Sequence, residues 1–99
     1  MGQEICEVTD GSGGVYYLNV TSETFDDLSA CDNAARFNGT LDDLSHRPNM
    51  NRHCTLPTAG DPGAPADAFN AIIGVYSDTN PADLAAATRF CRVHLGKDN

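Results

Sequence analysis

Four cysteines in a chain of 99 residues are the feature that most constrains how this protein can fold. They form an even set, and a domain of this size gains much of its stability from covalent cross-links. In the chain-entropy model, a disulfide that closes a loop of a few tens of residues contributes about 3–4 kcal/mol. We therefore predict two disulfide bonds. Four cysteines can pair in three ways, and we favour Cys6 with Cys91 and Cys31 with Cys54.

The cysteines also bear on the compartment in which the protein works. Disulfides persist in oxidising compartments and are rare in the cytosol, so the predicted bonds favour a secreted or periplasmic protein. The alternative is a cytoplasmic protein with four buried free thiols, because cysteine is among the residue types most often buried. The first twenty residues contain no basic start followed by an apolar stretch, so no secretory signal is recognised there.

The chain is acidic, with fourteen Asp and Glu residues against six Lys and Arg residues and a formal net charge of −8. Nucleic acids and anionic membrane surfaces would repel such a chain. The longest apolar run, at residues 71–76, is much shorter than the roughly 18 residues that a membrane-spanning helix requires. We therefore predict one soluble domain over residues 1–99, with neither nucleic acid nor membrane as its partner. Formation of a homodimer is compatible with this composition.

A β-hairpin is predicted at the start of the chain. Residues 3–8 and 15–20 are rich in strand-forming side chains, and the glycine-rich segment 10–14 between them supplies the backbone freedom that a tight reversal needs. Because side chains alternate along a strand, one set is expected to point into the core. The predicted inward residues are Cys6, Val8, Tyr16, Leu18 and Val20.

Two helices are predicted from capping residues and apolar spacing. The first follows a polar cap at residues 21–22 and ends at residues 38–39. Its apolar stripe comprises Phe25, Leu28, Cys31 and Ala35. The second begins with Asn80 as its cap and Pro81 at its first position, and it ends at Gly96. Its predicted apolar stripe comprises Leu84, Thr88, Cys91 and Leu95.

Residues 69–77 fit either a buried strand or a short helix, because a brief apolar run carries no decisive periodicity. We favour the strand, since isoleucine, valine and tyrosine dominate the run. The predicted fold is then α+β: a small antiparallel or mixed sheet, made of the hairpin and one further strand, with two helices packed on one face and disulfide staples. A mostly helical fold with an N-terminal hairpin is the alternative.

Residues 40–68 contain several prolines and glycines and are predicted to form one long loop. Within this loop, the segment 46–53 carries two arginines and two histidines without a carboxylate, against the acidic background of the chain. Guanidinium groups bind carboxylates and phosphates in a bidentate manner. We therefore predict a non-enzymatic binding domain that engages a protein or a small anion through residues 40–65. Its candidate ligand-binding residues are His46, Arg47, Arg52 and His53.

Other interpretations of the same residues remain open. The arginines at 47 and 52 could instead pair with nearby aspartates at 42, 43 or 61 and hold the loop in place. A zinc-binding domain is an alternative, with Cys91, His94, Cys54 and His53 as the ligands. An inhibitor- or immunity-type partner of a secreted enzyme would fit the size, acidity and cysteine content. No cofactor motif or nucleophile elbow is present, so we expect neither a cofactor nor enzymatic activity.

Overall fold

A computed structural model describes residues 2–22, 31, 37, 39–42 and 49–98. This part of the chain contains six strands, which pair in antiparallel fashion, and one α-helix. In chain order the elements are β1 (Gly2–Thr9), β2 (Val15–Ser22), β3 (Gly39–Leu41), β4 (Asn51–Thr55), β5 (Ile72–Ser77), α1 (Pro81–Val93) and β6 (Lys97–Asp98). The strands lie side by side in the order β3-β1-β2-β5-β4-β6.

The predicted fold is wrong in its number of strands and helices. Instead of a hairpin and one further strand, the described residues form six strands, and they contain one helix rather than two on one face. The mostly helical alternative is wrong for the same reason. Two of the extra strands, β3 and β4, lie within residues 40–68 and at their border, where a long loop was predicted. Both are short and polar, so they carry no clear alternation of apolar residues in the sequence.

The predicted first helix lies mostly outside the described residues. Residues 21–22, which were expected to cap it, belong instead to the end of β2. Of its predicted apolar stripe only Cys31 is described, and this side chain is buried as expected.

The N-terminal hairpin is confirmed. β1 and β2 pair along their whole length, from Gly2 opposite Ser22 to Thr9 opposite Val15. The turn between them contains Gly13 and Gly14, whose φ angles of 92° and 94° lie in the left-handed region that glycine adopts without strain. All five side chains predicted to point inward are buried.

The turn of the hairpin is fastened to α1 by polar contacts. The carboxylate of Asp83 accepts a hydrogen bond from the Val15 amide at 2.8 Å. The Arg89 guanidinium donates to the Asp10 carboxylate, and this bond is the main reason why the pKa of Asp10 lies below its ordinary value. These contacts fix the helix over the face of the sheet that carries Tyr16, whose ring lies 4.8 Å from that of Phe90.

The strand prediction for residues 69–77 is confirmed over β5. This strand lies between β2 and β4 in the sheet, and its inward residues Ile73, Val75 and Ser77 are buried. A strand flanked on both sides and covered on one face buries most of its apolar side chains. The run is apolar and β-branched for that reason.

The C-terminal helix is confirmed, with a different buried face and a different end. Asn80 caps it by accepting a hydrogen bond from the Ala82 amide at 2.9 Å, and Pro81 occupies its first turn. The helix buries Ala86, Ala87, Phe90 and Cys91. The predicted apolar stripe was centred on leucines and therefore lay to one side of the true buried face. It did not include Ala86 and Ala87, whose small side chains let α1 approach the sheet closely. The helix ends at Val93.

Two disulfides form, as predicted, but with a different pairing. Cys6 is joined to Cys31 and Cys54 to Cys91, with Cα–Cα distances of 5.4 Å and 6.1 Å. The predicted pairing is wrong because β1 and β4 are separated by two strands. At about 4.8 Å per strand spacing, β1 and β4 lie about 14 Å apart. Cys91 lies against Cys54 on β4, so it cannot also reach Cys6 on β1, because a disulfide spans a much shorter distance between Cα atoms. The two disulfides indicate an oxidising, extracellular environment.

No helix among the described residues is both long enough and apolar enough to cross a membrane.

Replacing Cys54 and Cys91 together by alanine should destabilise the protein by about 4 kcal/mol, because their bridge closes a loop of 37 residues. Urea unfolding followed by circular dichroism would measure this loss. Non-reducing peptide mapping should recover Cys6 with Cys31 and Cys54 with Cys91. An unchanged urea midpoint in the double variant would contradict the stabilising role of the bridge.

Candidate functional site

The predicted ligand-binding residues are only partly within the described chain. His46 and Arg47 lie outside the described residues, whereas Arg52 and His53 are both on β4. Arg52 pairs with Tyr76 of β5, and Cys54 pairs with Val75. Arg52 and Cys54 are two positions apart, so in a regular strand their side chains would share a face. A β-bulge inserts one extra residue at His53, and the two side chains therefore lie on opposite faces.

The bulge directs Arg52 to the outer face of the sheet, which is the face opposite α1. There the Arg52 guanidinium donates a hydrogen bond to the Thr55 hydroxyl. Lys97 of β6 pairs with Thr55 across the strands and so shares this face. The ring of Tyr76 lies over Gly74, where a Cβ atom would come within 2.9 Å of it. A shallow groove on this outer face is lined by Arg52, Thr55 and Tyr76 together with the exposed side chain of Ile72.

His53 lies on the opposite side of the bulge, toward α1. Its Nε2 atom is 2.7 Å from the hydroxyl oxygen of Ser77, which itself donates to the Asp78 carbonyl at 3.0 Å. Because a hydroxyl has one proton to give, His53 must donate through Nε2. Burial lowers the pKa of His53 below its ordinary value, so the ring is neutral at pH 7.

This histidine and serine do not form a nucleophile and its base. The proton of the Ser77 hydroxyl is held by a backbone carbonyl rather than by the ring. Ser77 is also completely buried, with an exposed fraction of 0%. A substrate cannot reach its oxygen without displacing the core, so this pair serves to position β4 against β5.

A second concavity lies on the helix side of β4, beside the Cys54–Cys91 disulfide. It is lined by His53, Thr88, Cys91, Arg92 and Gly96. Arg92 is in the last turn of α1, where its charge also offsets the negative end of the helix dipole. The disulfide therefore brings the cation at the end of α1 to the same edge of the sheet as β4.

Positive charge is concentrated at this edge. Four of the described residues are Lys or Arg, and three of them, Arg52, Arg92 and Lys97, lie on β4, β6 and the adjoining end of α1. The fourth, Arg89, forms an ion pair with Asp10 at the hairpin turn. We call the group of Arg52, Arg92 and Lys97, together with the neutral ring of His53 beside Arg92, the cationic edge. The sequence pointed to two of its members but could not show that residues 92 and 97 join them.

The four residues of the predicted zinc site do not come together as metal ligands. Cys54 and Cys91 are bonded to each other, so neither offers the thiolate that zinc binds. His94 uses Nδ1 in a hydrogen bond to the Phe90 carbonyl at 3.1 Å, and its ring packs 4.2 Å from that of Phe90. The Glu4 carboxylate lies near the sulfurs of Cys6 and Cys31, but these are also joined in a disulfide.

An apolar cavity elsewhere in the molecule is too small to hold an organic ligand. It lies between α1 and the loop that precedes β5, with Phe37, Leu56, Phe69, Ile73 and His94 in its wall. Its volume of about 40 Å³ has room for a few water molecules at most. The rings of Phe37 and Phe69 stack at 5.1 Å on its border, so the cavity is a packing gap in the core.

The end of α1 has an unusual backbone. Gly96 donates to the Cys91 carbonyl at 2.6 Å and Leu95 donates to the Arg92 carbonyl at 3.3 Å, which are the two hydrogen bonds of a Schellman motif. The residue that adopts the left-handed conformation in this motif is usually glycine. Here it is Leu95, with φ of 58°, at a cost of about 1 kcal/mol.

Gly96 is required at its position for a different reason. A Cβ atom there would lie 2.5 Å from the Cys54 sulfur and 3.0 Å from the Cys54 Cβ atom. The backbone after α1 therefore passes directly against the disulfide. This close approach places Lys97 and β6 beside β4.

Comparison with known proteins adds no assignment, since no family model, curated protein or solved structure matches this chain.

The folded protein should lose stability in mild acid through His53. Because the pKa of His53 is lower in the folded protein, the unfolded chain binds the proton more readily. The contribution of neutral His53 to stability is therefore fully present above about pH 6.5 and is lost as the pH falls below it. We expect the melting temperature to fall less between about pH 7 and pH 5 in a His53→Gln variant, which keeps a donor for Ser77. Differential scanning calorimetry at several pH values would test this. Equal pH dependence in the two proteins would contradict it.

Replacing Gly96 by alanine should destabilise the protein by about 1–3 kcal/mol, because the new methyl group collides with the disulfide. Gly11→Ala is the matched control, since a Cβ atom at Gly11 has no neighbour within 4 Å. Chemical unfolding of both variants would compare them. Equal losses of stability in the two variants would contradict a collision with the disulfide.

Proposed function

We propose that this protein is a non-enzymatic binding domain that engages the carboxylates of an acidic protein partner at the cationic edge. The observation that carries the proposal is the placement of Arg52, Arg92 and Lys97 at one edge of a chain whose net charge is −8. Single exposed cations on an acidic protein would be dispersed if they served solubility alone. Their concentration beside one strand favours a partner of opposite charge.

The geometry of the edge supports recognition of carboxylate groups. Arg52 and Lys97 lie on the outer face, on either side of Thr55. Arg92 lies with His53 on the helix side of β4. A partner that follows the edge would therefore meet positive charge on both sides of the strand. Guanidinium groups can hold a carboxylate by two hydrogen bonds, which gives orientation as well as attraction.

Electrostatic attraction of this kind speeds association and selects the partner. The acidic remainder of the surface would repel an acidic partner that approached from any other side. The protein would therefore orient such a partner before contact. A small anion such as phosphate could use the same cations, and the experiment below distinguishes it.

The proposed compartment is the extracellular space or the periplasm. The two disulfides support an oxidising environment, and the choice between these two locations is part of the proposal. The proposed partner would be met in the same compartment.

We expect the protein to bind a fluorescently labelled octaglutamate at low salt, as measured by fluorescence anisotropy. A double Arg52→Ala and Lys97→Ala variant should bind about five- to tenfold more weakly, because exposed charge pairs contribute about 0.2–1 kcal/mol each and this variant removes two cations. Raising the salt concentration should weaken binding to the wild-type protein, since exposed charges are screened.

Arg89→Gln is the matched control, because Arg89 is an exposed arginine on the same helix as Arg92 whose guanidinium is paired with Asp10 at the hairpin turn. This variant should bind octaglutamate like the wild-type protein. Competition by inorganic phosphate at concentrations similar to those of the peptide would instead indicate a small-anion site. Absence of octaglutamate binding, or an equal loss in the Arg89→Gln variant, would contradict the proposal.

A further inference from the structure

We infer that Leu95, together with Val93, is an apolar anchor within the cationic edge, so that the partner is an acidic segment carrying an apolar side chain. This inference rests on the proposed function and specifies its partner. It starts from two side chains that are exposed and lie in the same short segment as two of the cations. Val93 is 75% exposed and Leu95 is 58% exposed.

Leu95 adopts a strained backbone conformation that the packing of its side chain does little to offset. Its φ angle of 58° is in the left-handed region, which glycine or asparagine would occupy with less strain. Its side chain is mostly in solvent, so packing does not offset that strain. Strained residues that no local packing explains tend to occur at functional sites.

The neighbouring glycine does not account for this leucine. Gly96 is held against the Cys54 sulfur, and only a residue without a side chain fits there. That constraint explains why glycine follows the left-handed position, and it places no demand on the side chain at position 95. Nothing in the described core requires a leucine at Leu95.

The chemistry around Leu95 indicates the kind of partner. Arg92 precedes it in the last turn of α1, and Lys97 follows it on β6. An acidic peptide bound here would place carboxylates on the cations and an apolar side chain against Leu95 and Val93. Burying an exposed leucine in this way strengthens binding without adding charge.

A second copy of this chain is a poorer occupant of the same surface. Two copies meeting through the cationic edge would bring Arg92 and Lys97 close to the same residues of the partner copy. Like charges facing each other across an interface are unfavourable. Charge complementarity therefore selects an acidic partner, and self-association becomes an outcome that the test can detect.

The test compares two labelled peptides of equal charge, each with two residues between two blocks of three glutamates. In one peptide the two central residues are leucines, and in the other they are alanines. The wild-type protein should bind the leucine peptide about three- to tenfold more tightly by fluorescence anisotropy. Leu95→Gly should remove this preference, so that the variant binds the two peptides with equal affinity.

The same variant has a second readout that an ordinary loss of structure would not produce. Leu95→Gly should raise the melting temperature by a few degrees, because glycine relieves the left-handed strain. Leu41→Ala is the matched control: Leu41 is 68% exposed on β3, at the opposite edge of the sheet, and its loss should change neither peptide's affinity.

The outcomes separate this inference from the proposed function. If the wild-type protein binds both peptides with equal affinity and Leu95→Gly changes neither affinity, the proposed anchor role of Leu95 is contradicted. The proposed binding of an acidic partner would still stand in that case. If neither peptide binds, the proposed function itself fails. A Leu95→Gly variant that is less stable than the wild type would overturn the strain argument. Sedimentation showing a dimer of the wild type that Leu95→Gly dissociates would assign the anchor to self-association instead.

Discussion

The disulfide between Cys54 and Cys91 is the constraint on which the arrangement of the cationic edge depends. It joins β4 to the last full turn of α1, two elements that are each held to the rest of the fold mainly through β5 and β2. The chain after α1 passes directly against this bridge, so only a residue without a side chain fits at the point of contact. Gly96 meets that demand, and β6 is thereby laid beside β4.

The placement of charge follows from the same geometry. A bulge at His53 turns Arg52 to one face of the sheet and Cys54 to the other. The disulfide then brings Arg92 to the helix side, and the strand pairing brings Lys97 to the outer face. One disulfide and one β-bulge therefore place Arg52 at the same edge as Arg92 and Lys97, which lie far from it in the sequence. In an acidic chain this places three of the four described Lys and Arg residues at one edge.

Stability and the proposed binding make opposed demands on the segment after α1. A Schellman motif ended by glycine at its left-handed position would be more stable, and Leu95 stands there with its side chain in solvent. The turn between β1 and β2 shows no such conflict. It places glycines where the backbone needs positive φ angles, and its Asp10 carboxylate is paired with Arg89. The proposed anchor lies where local rules of stability are broken, which is where function most often requires an exception.

The sequence by itself determined the hairpin, the strand over residues 72–77, the helix that begins at Pro81 and the presence of two disulfides. Each of these depends on signals within a few residues, such as a glycine turn, β-branched runs or a capping asparagine, or on a simple count of cysteines. Only the tertiary structure decided which cysteines pair, that polar residues near Arg52 form a strand, and that Lys97 joins them. These depend on the order of strands in the sheet, which is set by contacts between segments far apart in the chain and leaves no local pattern in the sequence.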